Sequence, residues 1–370
     1  MRRVLIVGGG PAGMTAAVAL ARRGIGSHIV EIEREWSPEG IGLLLQPPTL
    51  RALASLDLLE ACAAVGYRHD VINLCDGDGA VVFPMSLRPL TRPDDPPAVG
   101  ISRRALHEVL EARLREAGVE VTLGQTVTRI EQDAGGVEVE LTDGSRGRWD
   151  LVVGADGINS KVRKLVFGGR GLTPRYAGQI IWRVGLERPH DVSEYLLMQR
   201  PGDKVGVVPI ARDELYVYCL QTRADVSRPP REELPERFRA ALAPYGGVVP
   251  RLAAQIVDPA QVDYRGLYAL LVPPPWHEGR VLLIGDAAHA TTPHVAMGVG
   301  IAIEDAVVLA EHLAEERPLA AFAERRYERC RLVVESSWQL SVWEQDPAAA
   351  TEDDRARLSA ETAAALAAPI

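Results

Sequence analysis

The sequence predicts an α/β fold in which a parallel-sheet module is interrupted by an antiparallel-sheet segment. Three observations carry that expectation. The glycine loop VGGGPAG sits between the apolar run Val4–Val7 and a helical pattern. Two further apolar runs, Leu151–Gly154 and Val281–Ile284, lead into glycine and aspartate in the same manner. Between them, from Tyr176 to Thr222, strand-like runs follow one another with turn residues and no helical pattern in between, which is the habit of an antiparallel sheet.

The elements follow in order. Val4–Val7 reads as a buried parallel strand. Met14, Ala17, Val18 and Ala21 recur at helical spacing, and Gly24 ends that helix. Ser27–Glu33 reads as the next strand and completes a βαβ unit. The opening MRRVLIVGGG has the charge and apolar run of a signal peptide, but glycines break the run early, so it is read as a strand. Leu50–Ala64 is helical, Asp76–Gly79 is the turn of a hairpin, and Pro89–Pro97 is a loop. Ser102–Ala117 is a helix stopped by Gly118, and Val119–Thr122, Val127–Gln132 and Val137–Leu141 are strands. The antiparallel strands are Gln179–Leu186, Glu194–Gln199, Lys204–Ile210 and Glu214–Thr222, and Pro235–Ile256 is helical. Helices fill the remainder after Val281–Ile284, and the tail after Ala348 reads as a helix prone to fray. This order assigns residues 1–72, 98–175 and 265–335 to the first module, 73–97 and 176–264 to an inserted one, and 336–370 to a C-terminal helical tail. A ligand cleft is expected between the two layers.

Bulk properties narrow the function. The chain has 370 residues, 47% apolar and 25% charged, ordinary for a soluble protein with a large core. A net charge of −9 argues against nucleic acid and anionic membrane as partners. There is no apolar stretch of about 18 residues to span a bilayer. Cys62, Cys75, Cys219 and Cys330 are scattered without a CxxC pair, which fits a reducing, cytoplasmic setting rather than a zinc ribbon or disulfide framework. Monomer and homodimer are both compatible with the sequence.

The first loop has a physical reading. Gly8, Gly10 and Gly13 form GxGxxG, with Pro11 and Ala12 opening the helix. Gly8 permits a tight turn, Gly10 lets a pyrophosphate approach the backbone, and Gly13 lets helix and strand pack closely. The helix N-terminus offers unpaired N–H groups and partial positive charge. An acidic residue about 20 positions on should hold a ribose hydroxyl. Glu31 is favoured for lying nearer the strand interior, with Glu33 as the alternative on the same face.

Two more stretches, LVVGADGINSKVR (Leu151–Arg163) and GRVLLIGDAAHATTP (Gly279–Pro293), complete a set. Together with the first loop they resemble the three signatures of FAD-dependent aromatic hydroxylases, the single-component flavoprotein monooxygenases related to p-hydroxybenzoate, salicylate, 6-hydroxynicotinate and urate hydroxylases. The likeness runs from Met1 to about Ser337. It implies a p-hydroxybenzoate hydroxylase-like architecture, a Rossmann-like FAD-binding domain with an inserted antiparallel-sheet substrate domain. It further implies FAD as cofactor, NADH or NADPH as co-substrate, and O2. A small aromatic or heteroaromatic compound would be hydroxylated through a flavin C4a-hydroperoxide. It also explains two strand–loop–helix sites in one chain, because FAD is long: one loop serves the adenosine pyrophosphate and the other the ribityl and isoalloxazine end. On that likeness Asp286 contacts the ribityl or phosphate region, and backbone near Pro293, Gly298, Val299 and Gly300 faces the flavin pyrimidine edge. The stripe Val299, Ala302, Ile303, Ala306, Ala310 and Leu313 supports a helix starting near Gly298, its N–H groups aimed at the flavin. Asp156, with Gly157, is expected to order its turn and bond Arg163 or a neighbouring strand. Arg103, or else Arg104, matches an arginine that reaches the FAD phosphates or ring. One departure stands out: where the family reads P-x-x-G-Q-G, this chain has Ala296 and Met297 before Gly298. Their added atoms are expected to narrow the flavin's room to swing or to tune its potential.

Other residues carry weaker signals. No metal site is expected: Asp286, His289 and His294 lack a helical i, i+4 pair, and His289 is read as a structural hydrogen-bonder. Trp182 and Arg183 resemble a Trp-Arg pair on the substrate sheet of salicylate and urate hydroxylase relatives, with the arginine near flavin or substrate; a packed tryptophan beside a surface arginine is the other reading. Tyr216 and Tyr218 alternate with Leu215, Val217 and Cys219, and one of those faces lines the pocket. Either tyrosine could orient a phenol, and no catalytic base is identified. The rivals to hydroxylation are an FAD-dependent reductase, a Baeyer–Villiger-type oxygenase, and a non-catalytic FAD-binding protein that sequesters a ligand. A flavin halogenase is disfavoured, since WxWxIP is missing.

Overall fold

The computed structural model describes residues 3–36 and 41–370; residues 1, 2 and 37–40, which fall in the expected 1–72 span, lie outside the described residues. The first strand, Arg3–Val7, occupies the interior of a six-stranded sheet. From one edge the order is His277–Glu278, Val281–Leu283, Leu151–Gly154, Arg3–Val7, Gly26–Glu31 and Glu120–Leu123, and all neighbours are parallel except the first pair. Val4–Val7 and Leu151–Gly154 are buried throughout, the reason they read as apolar runs rather than alternations. Helix Pro11–Arg22 and the long helix Gly298–Ala314 pack together over this sheet, each nearly continuous in small and apolar residues.

A second sheet of seven strands runs Asp263–Ala269, Arg175–Glu187, Glu214–Thr222, Asp203–Pro209, Tyr195–Arg200, Val71–Cys75 and Val81–Ser86. Its neighbours are antiparallel except Tyr195–Arg200 with Val71–Cys75. One face packs on helices Leu234–Leu242 and Val249–Ala253 through Trp182, Val217, Cys219 and Phe238. The other face looks toward the first module. A small sheet of Gly42–Leu45, Ala98–Ser102 and Tyr67–His69 joins the two, and another, Arg146–Trp149, Gly136–Leu141 and Val127–Asp133, flanks the parallel sheet.

Several elements differ from expectation for local reasons. The helix expected over Leu50–Ala64 is two, Pro47–Ala54 and Leu59–Val65, because Asp57 turns the chain with φ +56°. The helical stretch Pro235–Ile256 is likewise divided, at Gly246 and Gly247, which pack against the hairpin turn at Asp78 and Gly79. Strand Asp263–Ala269 belongs to the seven-stranded sheet, so residues 265–269, expected in the first module, extend the second. Residue 336 falls inside the 27-residue helix Leu319–Gln345, whose last turns lie against strand Arg175–Glu187. The final helix, Glu352–Ala367, starts with a Thr351–Asp354 capping box. Arg51 and Arg329 hold its terminal carbonyls.

Candidate active site

The glycine loop is shaped by close approach. Gly8 has φ +111°, and a Cβ there would lie 2.4 Å from Ala155 O. A Cβ on Gly13 would lie 2.0 Å from Gly8 O, so the helix can rest on the strand end only with glycine at that position. A Cβ at Gly10 would meet nothing, because the backbone there faces open space. Helix Pro11–Arg22 has no side-chain cap, and its first N–H groups are left for whatever occupies that space. Glu31 ends the second strand and its Oε2 accepts from Gly9 N–H at 2.6 Å, with Oε1 accepting from Glu33 N–H at 2.9 Å. Glu33 lies past the strand and is exposed, so the strand geometry that made the two equivalent does not extend to it.

Asp156 does not bond Arg163. Its Oδ2 accepts from Lys161 N–H (2.6 Å) and Val162 N–H (3.0 Å), at the start of helix Lys161–Phe167. A carboxylate is favoured at that pole. Arg163 instead spends its guanidinium on the carbonyls of Ala287 and Ile158, tying the second signature to the third.

In the third signature, Gly285 N–H donates to Asp305 Oδ2 (2.9 Å), which also lies 2.6 Å from His289 Nε2. Arg326 bonds Asp305 Oδ1 and Glu304 Oε2. His289, Asp305 and Cys330 therefore come together with an arginine in their midst, a buried ion-pair network that fixes the turn before Asp286. Asp286 faces the cavity below, open to it yet ringed by protein. Burial pushes its carboxyl up, against the pull of His289 and Arg103.

A cavity of about 340 Å³ lies between the modules, within the usual size of a small-molecule site. Gly10–Ala12 and Gly298–Gly300 both line it, so two uncapped helix N-termini face one space. Arg103 lines it as well, while Arg104 points to solvent. Burial and the nearby Arg183 draw the Arg103 guanidinium down to about 10, with Asp286 acting in the opposite sense. Its Nε has no hydrogen-bond partner among the described residues. A buried cation with an unused donor is costly unless an anion completes it. Ala296 lines the cavity in the left-handed region (φ +53°), where glycine would be unstrained. Met297 is buried and turned away, its sulfur 3.7 Å from Thr49 Oγ1, so its sulfur does not narrow the space as expected.

The opposite wall is the seven-stranded sheet. Register fixes the side: Arg183 faces Tyr218, which faces Gly206, which faces Leu197, and these share the cavity side with Ile181, Leu220, Lys204 and Tyr216. The tyrosine face therefore lines the pocket, and Leu215, Val217 and Cys219 are core. Gly206 is bare because the Tyr218 ring lies over it; a Cβ would come within 2.1 Å of that ring. The Tyr218 hydroxyl reaches Tyr195 OH at 2.5 Å. Burial raises both phenols, Tyr195 to about 12, so neither is a base near neutral pH. Trp182 packs on Phe238 and Tyr264 and bonds Gln221. Arg183 is not a surface residue: it lines the cavity and is clasped by Asp263 at 2.6 Å, which also holds Arg265. Burial raises the Asp263 carboxyl, but the two arginines outweigh that and hold it below its usual value.

Of the residues singled out in the sequence, Gly10, Pro11, Ala12, Arg103, Arg183, Tyr216, Tyr218, Asp286, Pro293, Gly298, Val299 and Gly300 meet at this cavity. Gly8, Gly13, Glu31, Glu33 and Asp156 stand outside its lining and shape or brace the loops. Sequence reasoning missed Tyr195, Lys204, Thr292, Asp263 and Glu344. The Glu344 carboxylate pairs with Lys204 Nζ (2.5 Å) and lies 3.0 Å from His294 Nε2. Lysine amid the valines of DKVGVVP was the available signal.

Fold and site together define an α/β flavoprotein architecture. A dinucleotide-type loop and a second helix N-terminus share one cavity with an antiparallel sheet, and the unpartnered Arg103 Nε and the open space at Gly10 suit an anionic dinucleotide. A family model described as an FAD binding domain matches residues 1–333. The chain is 32% identical over 356 residues to 2-heptyl-3-hydroxy-4(1H)-quinolone synthase of Pseudomonas aeruginosa, covering 92% of this chain and 90% of that one. It is 32% identical over 344 residues to 3-amino-4-hydroxybenzoate 2-monooxygenase of Streptomyces cremeus, covering 89% and 83%. The crystal structure of Klebsiella pneumoniae HpxO with FAD and uric acid superimposes with a TM-score of 0.85 at 27% identity, covering 99% of this chain and 95% of that one. The chain belongs to the family of FAD-dependent aromatic monooxygenases.

Proposed function

We propose that this chain hydroxylates a small aromatic or heteroaromatic compound held in the cavity between the modules, using FAD, O2 and NADH or NADPH. The observation that supports it most is the convergence of two uncapped helix N-termini and the buried Arg103 on one cavity whose far wall is a sheet of tyrosines. FAD, when bound, supplies the redox chemistry with reduced nicotinamide and O2. The chain binds, orients and excludes water. Glu31 is suited to the ribose, and the Pro11–Arg22 helix to the pyrophosphate. Arg103 and Asp286 would border the flavin, and N–H groups at Gly298–Gly300 would face negative charge that gathers on its pyrimidine edge. Arg183, held by Asp263, and the Tyr216 and Tyr218 hydroxyls would orient the substrate ring. Leu43, Leu45, Ile181, Leu197 and Leu220 add apolar surface to the lining, which limits water near reactive oxygen. The compounds in the relatives' names, a heptyl-substituted quinolone, an aminohydroxybenzoate and uric acid, share a planar ring system with polar edges, which supports an aromatic or heteroaromatic substrate here.

The test is a panel of phenols, hydroxybenzoates, quinolones and purines added to FAD-loaded protein. NADH or NADPH oxidation and O2 uptake should rise with at least one compound, with one oxygen atom recovered in product from labelled O2. FAD binding with nicotinamide oxidation that is independent of O2 would establish a reductase instead.

A further inference from the structure

We propose that strand Val81–Ser86 is the surface through which two copies of this chain form a dimer, the two strands meeting antiparallel about a two-fold axis at Phe83. The inference does not depend on the proposed reaction. Strand Val71–Cys75 lies between this edge and strand Tyr195–Arg200, whose Tyr195 and Leu197 line the cavity.

Val81–Ser86 closes one edge of the seven-stranded sheet, and every residue in it is exposed. Its sequence, VVFPMS, presents Val81, Val82, Phe83 and Met85 to solvent, with Val82 70% and Phe83 57% exposed. The strand at the opposite edge, Asp263–Ala269, carries Asp263 and Arg265, the charged kind of edge that discourages association. Val81–Ser86 has no charged residue. Its four large apolar side chains expose on the order of 400 Å², a size at which a contiguous patch on a soluble chain marks an interaction site.

Pro84 decides the mode of contact. Leu87 N–H donates to the Asp70 carbonyl, and the alternation of an antiparallel ladder then turns the Pro84 nitrogen to the open edge. Proline has no N–H, so a hydrogen-bonded strand addition would be interrupted at its centre. Side chains must carry the contact instead, and they are self-complementary. About Phe83, Val81 opposes Met85 and Val82 opposes Pro84, so a two-fold axis sets apolar against apolar along the strand. The flanking charges agree with that axis. Asp78, in the turn before the strand, and Arg88, beyond its end, are both exposed. Asp78 stands five residues before Phe83 and Arg88 five after, so antiparallel strands bring Asp78 of one copy toward Arg88 of the other. Nearby, Asp70 is held by Arg68, and Arg200 donates to the Pro244 carbonyl. A neutral lipid surface would offer Asp78 no cation, whereas a second copy supplies one. With Pro84, Ser86 and the flanking charges, the two copies would bury about 1,000–1,200 Å² in total, the low end for a specific interface and the range of weak dimers.

The test is sedimentation velocity of the FAD-loaded protein from about 1 to about 200 µM, a span that brackets a weak dimer. The wild type should dimerise with a dissociation constant on the order of 10 µM. Phe83→Glu, a change at an exposed position, should raise that constant at least about 10-fold while FAD uptake and melting temperature stay as in the wild type. Asp78→Lys and Arg88→Glu should each weaken the dimer, and the double variant should recover it, as a pair formed across the axis requires. A wild type that stays monomeric to about 200 µM, or a dimer that Phe83→Glu leaves intact, overturns the proposal. Failure of the double variant to recover overturns the antiparallel arrangement. A monomeric wild type that floats with phosphatidylcholine vesicles, and loses that ability in Phe83→Glu, overturns the second copy as occupant and assigns the patch to lipid.

Discussion

Glu344 offers a stability measurement with a defined sign. It is 18% exposed, its partner Lys204 9%, and His294 none. Burial raises the Glu344 carboxyl, but Lys204 and then His294 outweigh it and bring the group from 4.5 down to about 2. A carboxyl depressed on folding contributes stability that is fully present above its unfolded value of 4.5 and is lost as pH falls toward about 2. At 1.36 kcal/mol per unit the contribution is about 3 kcal/mol at pH 7, falling to about 2 near pH 3.5 and about 1 near pH 3. Glu344→Gln preserves shape and removes the charge, leaving Lys204 buried without its counter-ion, which costs a similar amount. Urea denaturation of wild type and variant, followed by tryptophan fluorescence at fixed FAD concentration from pH 7 down to pH 3.5, measures the gap. It should be constant from pH 7 to about pH 5.5 and narrow below that. A gap under about 1 kcal/mol at pH 7, or one that does not narrow by pH 3.5, would show that the ion pair is not formed as described.

Three more outcomes follow from individual contacts. Arg103→Met should weaken FAD binding about 10- to 100-fold by calorimetry, the worth of a hydrogen bond to a charged group, and unchanged affinity would mean that the buried guanidinium serves another anion. Ala296→Gly relieves a left-handed alanine at φ +53° and should stabilise the protein by about 0.5–1 kcal/mol in the same urea assay, the relief being partly offset by glycine's greater freedom when unfolded. Gly206→Ala places a methyl about 2.1 Å from the Tyr218 ring, so it should cost about 1–3 kcal/mol and weaken aromatic ligand binding. Retention of wild-type stability there would mean that the Tyr218 ring has room to move.

The parallel module was largely legible because most of its strands announce themselves locally, the two-residue edge strand His277–Glu278 excepted. Leu151–Gly154 is an unbroken apolar run, and the structure has the same four residues. Elements that depend on a distant partner were not. Strand Asp263–Ala269 carries arginine and glycine inside it, and becomes a strand only because Arg175–Glu187 supplies its ladder. Gly42–Leu45 and Tyr67–His69 are too short to show a period and are organised by Ala98–Ser102. The site divides in the same way. GxGxxG, Asp286 and Gly298–Gly300 are recognisable because a loop before a helix is a local object. Asp263 clasps Arg183 from 80 residues away, and Lys204 meets Glu344 across 140. A lone charge has no meaning in sequence until its counter-ion is known, and the counter-ion of Lys204 stood in what read as a peripheral tail.

That pairing bears on why the long helix Leu319–Gln345 is part of the site at all. A lysine under a tenth exposed in the seven-stranded sheet would be strongly destabilising alone. An apolar residue would pack there at lower risk, so stability does not explain the pair. What the pair does is bridge three bodies: Lys204 belongs to the antiparallel sheet, His294 to the loop before the second helix N-terminus, and Glu344 to the helix that packs behind both. Gln345 and Ser341 of that helix bond strand Arg175–Glu187 at Ala177 and Gln179, and Ser337 takes Val295 N–H. Movement of either module relative to the other would break an ion pair shielded from water and strand its charges. The Lys204–Glu344 pair and the neighbouring Gln345, Ser341 and Ser337 bonds therefore hold the two halves of the cavity in register, and the only ion pair among those contacts rests on one carboxylate.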